Sequence, residues 1–165
     1  MRTNLVWALA VVLTALLEAK WPYLLRVQSV VPQLVLVLVV YFAITEGEER
    51  AMFTGLLGGL FKDVATDAAV GHSVLCLVIV GYFMGTAAKR LITDNPAVKA
   101  GAVFCASVTY GLLYIAVDYL QRTEGGGASM LFTALLPQAF YTALATPLLF
   151  LIMAFSPMPQ QRRAL

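Results

Sequence analysis

Between Gly55 and Ser73 the chain reads GLLGGLFKDVATDAAVGHS, and this stretch decides how the rest is to be taken. Three glycines crowd into five positions, and then come Lys62, Asp63, Asp67 and His72, the only histidine. On either side run Leu, Val, Ala and Phe with few interruptions. Charge set into so apolar a chain needs a reason.

Of the 165 residues, 61% are hydrophobic and 12% charged. A soluble domain carries about a quarter charged residues, and one this small has too much surface to hide such a surplus of apolar side chains. Lipid removes the difficulty, so the expectation is an all-α integral membrane protein, a single multi-pass domain over residues 1–165. A net charge of +2 gives no basic surface for nucleic acid. Cys76 and Cys105 sit in apolar runs and read as buried packing residues rather than a disulfide or zinc framework.

In lipid the backbone must satisfy itself, so the apolar runs read as spanning helices. Six are expected, at about 4–18, 31–45, 50–67, 73–88, 97–119 and 130–155, in a compact bundle. Glu18 makes a poor cleavage site, so the first run reads as a retained anchor, with Trp7 and Trp21 near opposite interfaces. Six spans put Arg2, Arg50, Lys89, Arg90, Lys99, Arg162 and Arg163 on one side, against Lys20, Arg26, Lys62 and Arg122 on the other. The positive-inside rule then places both termini in the cytoplasm. Pro32 reads as the opening residue of the second helix, and Pro137 and Pro147 as kinks or breaks in the sixth. Trp21–Leu25 reads as an interfacial segment and Gln121–Ser129 as a flexible link.

Helical residues four apart lie nearly above one another. Gly55 and Gly59 therefore share a face with Asp63 and Asp67, and Gly81 and Gly85 repeat the small-residue spacing one helix later. Such G-x-x-x-G pairs let backbones approach closely. The expected use is packing of the third helix on the fourth; the rival use is a groove for a partner's membrane anchor. Tyr110, Tyr114 and Asp118 form a polar stripe on the fifth helix, and Gln138, Thr142 and Thr146 on the sixth. The helix directions bring these stripes to a similar depth, so a polar interior opening outward is expected. Its candidates are Asp63, Asp67, Tyr110, Tyr114, Asp118, Gln138 and Thr142. An ionisable group within a span marks a site by default, and Asp63 lies deepest. Asp67, Asp118 and His72 read more simply as reaching headgroups at helix ends. Lys62 either snorkels outward or pairs with an acid on a neighbouring helix.

The chain contains no phosphate loop and no H-E-x-x-H motif. No catalytic residue, metal site or cofactor is therefore expected, and the chain reads as a binder, scaffold or transporter.

Three blocks, VPQLVLVLVVYFAI (Val31–Ile44), GLLGGLFKDVATDAAVGHSVL (Gly55–Leu75) and FYTALATPLLFLI (Phe140–Ile152), resemble the rod shape-determining protein family MreD. The middle block carries most of the likeness: a glycine-rich helix, then an Asp, then a Gly-containing turn, here Gly59, Asp63 and Gly71. The family often has a small residue where this chain has Asp67. The resemblance implies a non-enzymatic subunit of the elongation complex in the bacterial inner membrane. Its implied direct partner is MreC, through the membrane anchor and the adjoining periplasmic part. MreB, RodA and a class B penicillin-binding protein would share the complex. For MreC, the face of the fourth helix with Gly81 and Gly85 is one candidate groove. The competing reading, by analogy of architecture, is the substrate-binding component of an energy-coupling-factor vitamin transporter. A third is an intramembrane enzyme using Asp63.

Overall fold

A computed structural model of the chain describes residues 2–20, 31–66, 71–89, 95–121 and 128–155. Within them are six helices and no strand: α1 (Arg2–Ala19), α2 (Leu34–Thr45), α3 (Glu48–Ala65), α4 (His72–Ala88), α5 (Pro96–Gln121) and α6 (Ala128–Phe155). These are the six expected helices, with ends shifted by a few residues. Asp67, the Trp21–Leu25 segment, the link before α6 and the Arg162–Arg163 tail lie outside the described residues, as does the side chain of Asp118.

Residue pairings give the helix directions. Trp7 meets Thr54 and Glu18 meets Lys62, so α1 and α3 run parallel. Gly55 lies against Leu77 and Gly85 against Glu48, so α3 and α4 run antiparallel. Gln33 meets Thr142 and Tyr41 meets Phe150, so α2 and α6 run parallel.

The hub is α2. It touches every other helix, and Leu34 through Ala43 are all buried. A helix apolar on all sides has no face to show water and belongs in a protein core or in lipid; here the other helices cover it. Around it, α1 packs on α3, α3 on α4, α4 on α5 and α5 on α6. The outer faces of this arc are apolar: Leu5, Leu9 and Leu13 on α1, Phe53 and Val64 on α3, Phe83 on α4, and Phe140, Leu144 and Leu148 on α6 are exposed. Polar side chains turn inward instead, the reverse of a water-soluble bundle.

The α3–α4 contact is the tightest joint. A Cβ on Gly55 would lie 2.8 Å from the Leu77 carbonyl oxygen, and one on Gly59 would lie 2.7 Å from Val74 Cα. On the opposing helix, a Cβ at Gly81 would come within 3.0 Å of the Ala51 backbone, and one at Gly85 would collide with the Glu48 backbone. Each helix thus presents glycine to the other's main chain, so dispersion contacts run backbone to backbone. The Gly81–Gly85 face is occupied by α3 and leaves no groove there for another helix.

Three local expectations change. Val31, Pro32 and Gln33 are not helical, and α2 begins after them, because Gln33 at φ −83° and ψ 78° closes a tight turn in which the Leu34 amide donates to the Pro32 carbonyl at 3.1 Å. Pro137 and Pro147 both lie within α6, which continues through them unbroken. Cys76 is fully buried, but Cys105 is exposed on the outer face of α5 beside Gly101 and Leu112.

Candidate functional site

At twelve residues α2 is about 18 Å long, well short of a bilayer core of about 30 Å. The non-helical Val31–Gln33 segment precedes it and brings main-chain groups into the interior without helical partners. Non-helical backbone at such depth is tolerated only where protein satisfies it. The start of α4 poses the same problem, since the first turn of any helix leaves its amides unpaired. Among the described residues, most of the buried polar side chains gather at these two helix starts.

Glu18, at the last turn of α1, serves the first. Its Oε2 accepts from the Val35 amide at 2.8 Å, and its Oε1 lies 2.7 Å from Lys62 Nζ. The Gln33 amide donates to Thr142 Oγ1 at 3.1 Å, and the Gln33 side-chain oxygen accepts from Ser107 Oγ at 2.8 Å. Gln138 Nε2 donates to the Val31 carbonyl at 3.2 Å. Side chains of α1, α5 and α6 thus converge on Val31–Val35 at the start of α2, with Lys62 of α3 behind Glu18.

Asp63 serves the second. It is fully buried, and its carboxylate accepts from the Gly71 amide at 2.8 Å and from the Ser73 amide at 3.1 and 3.2 Å. It caps α4 from another helix, with the favourable sign for a helix N-terminus. Gly71 holds φ of 103°, a left-handed conformation that a side chain would strain, and so aims its amide back at Asp63.

Between the two caps lie the aromatic rings of α5. Lys62 Nζ sits 5.1 Å from the centre of the buried Tyr110 ring, and Tyr110 Oη donates to Ser73 Oγ at 3.4 Å. His72 stacks on Tyr114 with ring centres 4.0 Å apart. Its Nε2 donates to the Tyr114 carbonyl at 3.1 Å, since a carbonyl can only accept. His72 is thus buried at the first residue of α4, with its ring between α4 and α5. The structure brings Asp63, Tyr110, Tyr114, Gln138 and Thr142 to one end of the bundle.

Sequence reasoning left Lys62 two choices, and it takes the ion pair. It missed Glu18, Gln33 and Ser107. For Gln33 a signal was available, a lone amide directly after Pro32 in an apolar run. Trp7, expected at the interface, points inward: its indole N–H donates to Thr54 Oγ1 at 3.1 Å, and the Arg50 guanidinium lies 4.2 Å from its ring centre.

Among the described residues no group of three or more His, Cys, Asp or Glu is placed to hold a metal ion. The helix Ala97–Val117, within α5, is long and apolar enough to cross a membrane, and Asn4–Ala19, Leu34–Thr45 and His72–Ala88 are shorter apolar helices.

The fold and its interior define a small helical bundle of inverted polarity, apolar outside and hydrogen-bonded within. Over residues 1–156 the chain matches the model of the rod shape-determining protein MreD, and it belongs to that family. The family is one of membrane proteins that determine rod shape. No curated protein and no solved structure matches this chain closely enough to count as a relative.

Proposed function

We propose that this chain is a non-enzymatic subunit of the bacterial elongation complex, binding MreC in the inner membrane. In that role it helps couple MreB filaments to side-wall peptidoglycan synthesis, alongside RodA and a class B penicillin-binding protein. The observation that carries the reading is the family match over nearly the whole chain. The alternating helix directions and the apolar outer faces support a six-span topology, and the distribution of basic residues supports cytoplasmic termini.

The interior supports scaffolding over solute binding. Glu18, Gln33, Lys62, Asp63 and Ser107 spend their polar atoms on one another or on backbone amides. A vitamin carrier needs polar groups that are free for its ligand. With the Gly81–Gly85 face occupied, the MreC anchor has to seat elsewhere on the outer faces.

The test is to co-express the tagged chain with MreC, extract in native lipid, and identify protein and small-molecule companions by mass spectrometry. Recovery of MreC without a stoichiometric small molecule is expected. A tightly held vitamin with no MreC would replace this reading with the transporter one.

A further inference from the structure

We infer that the α5–α6 hairpin moves as a unit on the α1–α4 body, and that Val31–Gln33 is the clasp that holds it closed at the polar end. The inference is independent of the partner proposed above.

The packing divides the helices unequally. Neither α1 nor α3 touches α5 or α6 along the backbone, so the hairpin's main-chain contacts with the body are with α2 and α4, while the Lys62 side chain of α3 reaches the Tyr110 ring of α5. Inside the body, α3 and α4 interlock main chain to main chain through their glycines, a joint with no room to slide. The hairpin's joint is different in kind. Midway it is apolar, with Val103 and Ala106 buried among residues of α2 and α4, and at the polar end it is made by side chains: hydrogen bonds from Ser107 to Gln33, Gln33 to Thr142, Gln138 to Val31, Tyr110 to Ser73 and His72 to Tyr114, with the His72 and Tyr114 rings stacked. At the opposite end it is an edge-on ring contact, Phe150 against Tyr41 at 5.2 Å, with Lys99 over Phe150. Single interhelical hydrogen bonds in lipid are weak and readily exchanged. Ring packing survives small rotations, as a hinge requires. Gln33 is almost wholly buried and holds α5 with its side chain and α6 with its amide, so one short segment ties both helices of the hairpin to the body.

The experiment is double electron–electron resonance in nanodiscs on the full chain, in a Cys105→Ala background. One label pair, Leu17→Cys with Leu144→Cys, reports the polar end, and Leu5→Cys with Leu151→Cys reports the opposite end; all four positions are exposed. The expected result is a broader distance distribution at the polar end. Ser107→Ala with Thr142→Val, which removes both of the hairpin's ties to Gln33, should broaden or lengthen that distance and leave the other pair unchanged. Equal widths at both ends, or equal changes at both ends in the variant, would overturn the inference. If the variant does not fold, the comparison of the two pairs without it decides.

Discussion

Lys62 Nζ lies 2.7 Å from Glu18 Oε1 while the other oxygen of Glu18 caps the start of α2. Lys62 and Asp63 are adjacent in sequence and serve different helices: one steadies the carboxylate that caps α2, and the other is itself the cap of α4. The charges that interrupt the glycine-rich stretch are thus the means by which two helices begin inside the bundle.

Lys62→Met leaves Glu18 buried without its counter-ion. Removing one partner of a buried pair costs roughly 3–5 kcal/mol, whereas replacing both with apolar or neutral groups costs far less. Thermal unfolding in detergent should show a large loss for Lys62→Met and a partial recovery in Lys62→Met with Glu18→Gln, whose amide oxygen can still accept from Val35. A double variant no more stable than Lys62→Met alone would mean that the pair is not coupled.

The glycines separate by what lies opposite them. Gly59→Ala drives a methyl into the Val74 main chain, which cannot rotate away, and overpacking of this kind costs about 1–3 kcal/mol. Gly101→Ala meets nothing within 4 Å and also removes a helix-interior glycine, so it should leave stability unchanged or raise it by up to about 1 kcal/mol. Comparing their melting temperatures checks the α3–α4 joint directly.

Gly71 differs from both, since its space is open and its backbone is the constraint. Gly71→Ala places a side chain at φ of 103° and should destabilise by about 1–2 kcal/mol without any clash. Hydrogen exchange should rise at the amides of residues 71 and 73, which Asp63 holds, and remain slow in the α3–α4 glycine contact.

These same residues show what the sequence could and could not reveal. The six helices and the glycine faces are readable because apolar run length and four-residue spacing are local properties. The inward placement of Asp63 follows from the same spacing, since it continues the Gly55–Gly59 face. That α2 is the hub is not readable: in a soluble protein its all-round hydrophobicity would mark it, but in lipid every neighbour is apolar too. The Glu18–Lys62 pair escapes because it joins positions far apart in the chain, and only the parallel packing of α1 on α3 brings them level. Pro32 misleads for a related reason. A proline at a helix start is the ordinary pattern, and the non-helical turn found here is held by distant partners, Thr142 for the Gln33 amide and Glu18 for the Val35 amide.

Asp63 distinguishes a structural role from a catalytic one. Asp63→Asn keeps one acceptor oxygen and can hold the Gly71 amide or the Ser73 amide, though with the weaker bonds of a neutral group. Asp63→Ala leaves both amides buried and unpaired, at about 1–3 kcal/mol for each group. As a cap, the residue should give a graded series in which Asn costs part of the stability and Ala most of it. Rescue of rod shape in cells depleted of the native protein should follow the amount of folded protein in the membrane. A catalytic acid would behave otherwise: Asn would abolish rescue as completely as Ala while membrane levels and MreC recovery stayed normal. Microscopy of cell width, read beside membrane abundance of each variant, separates the two outcomes.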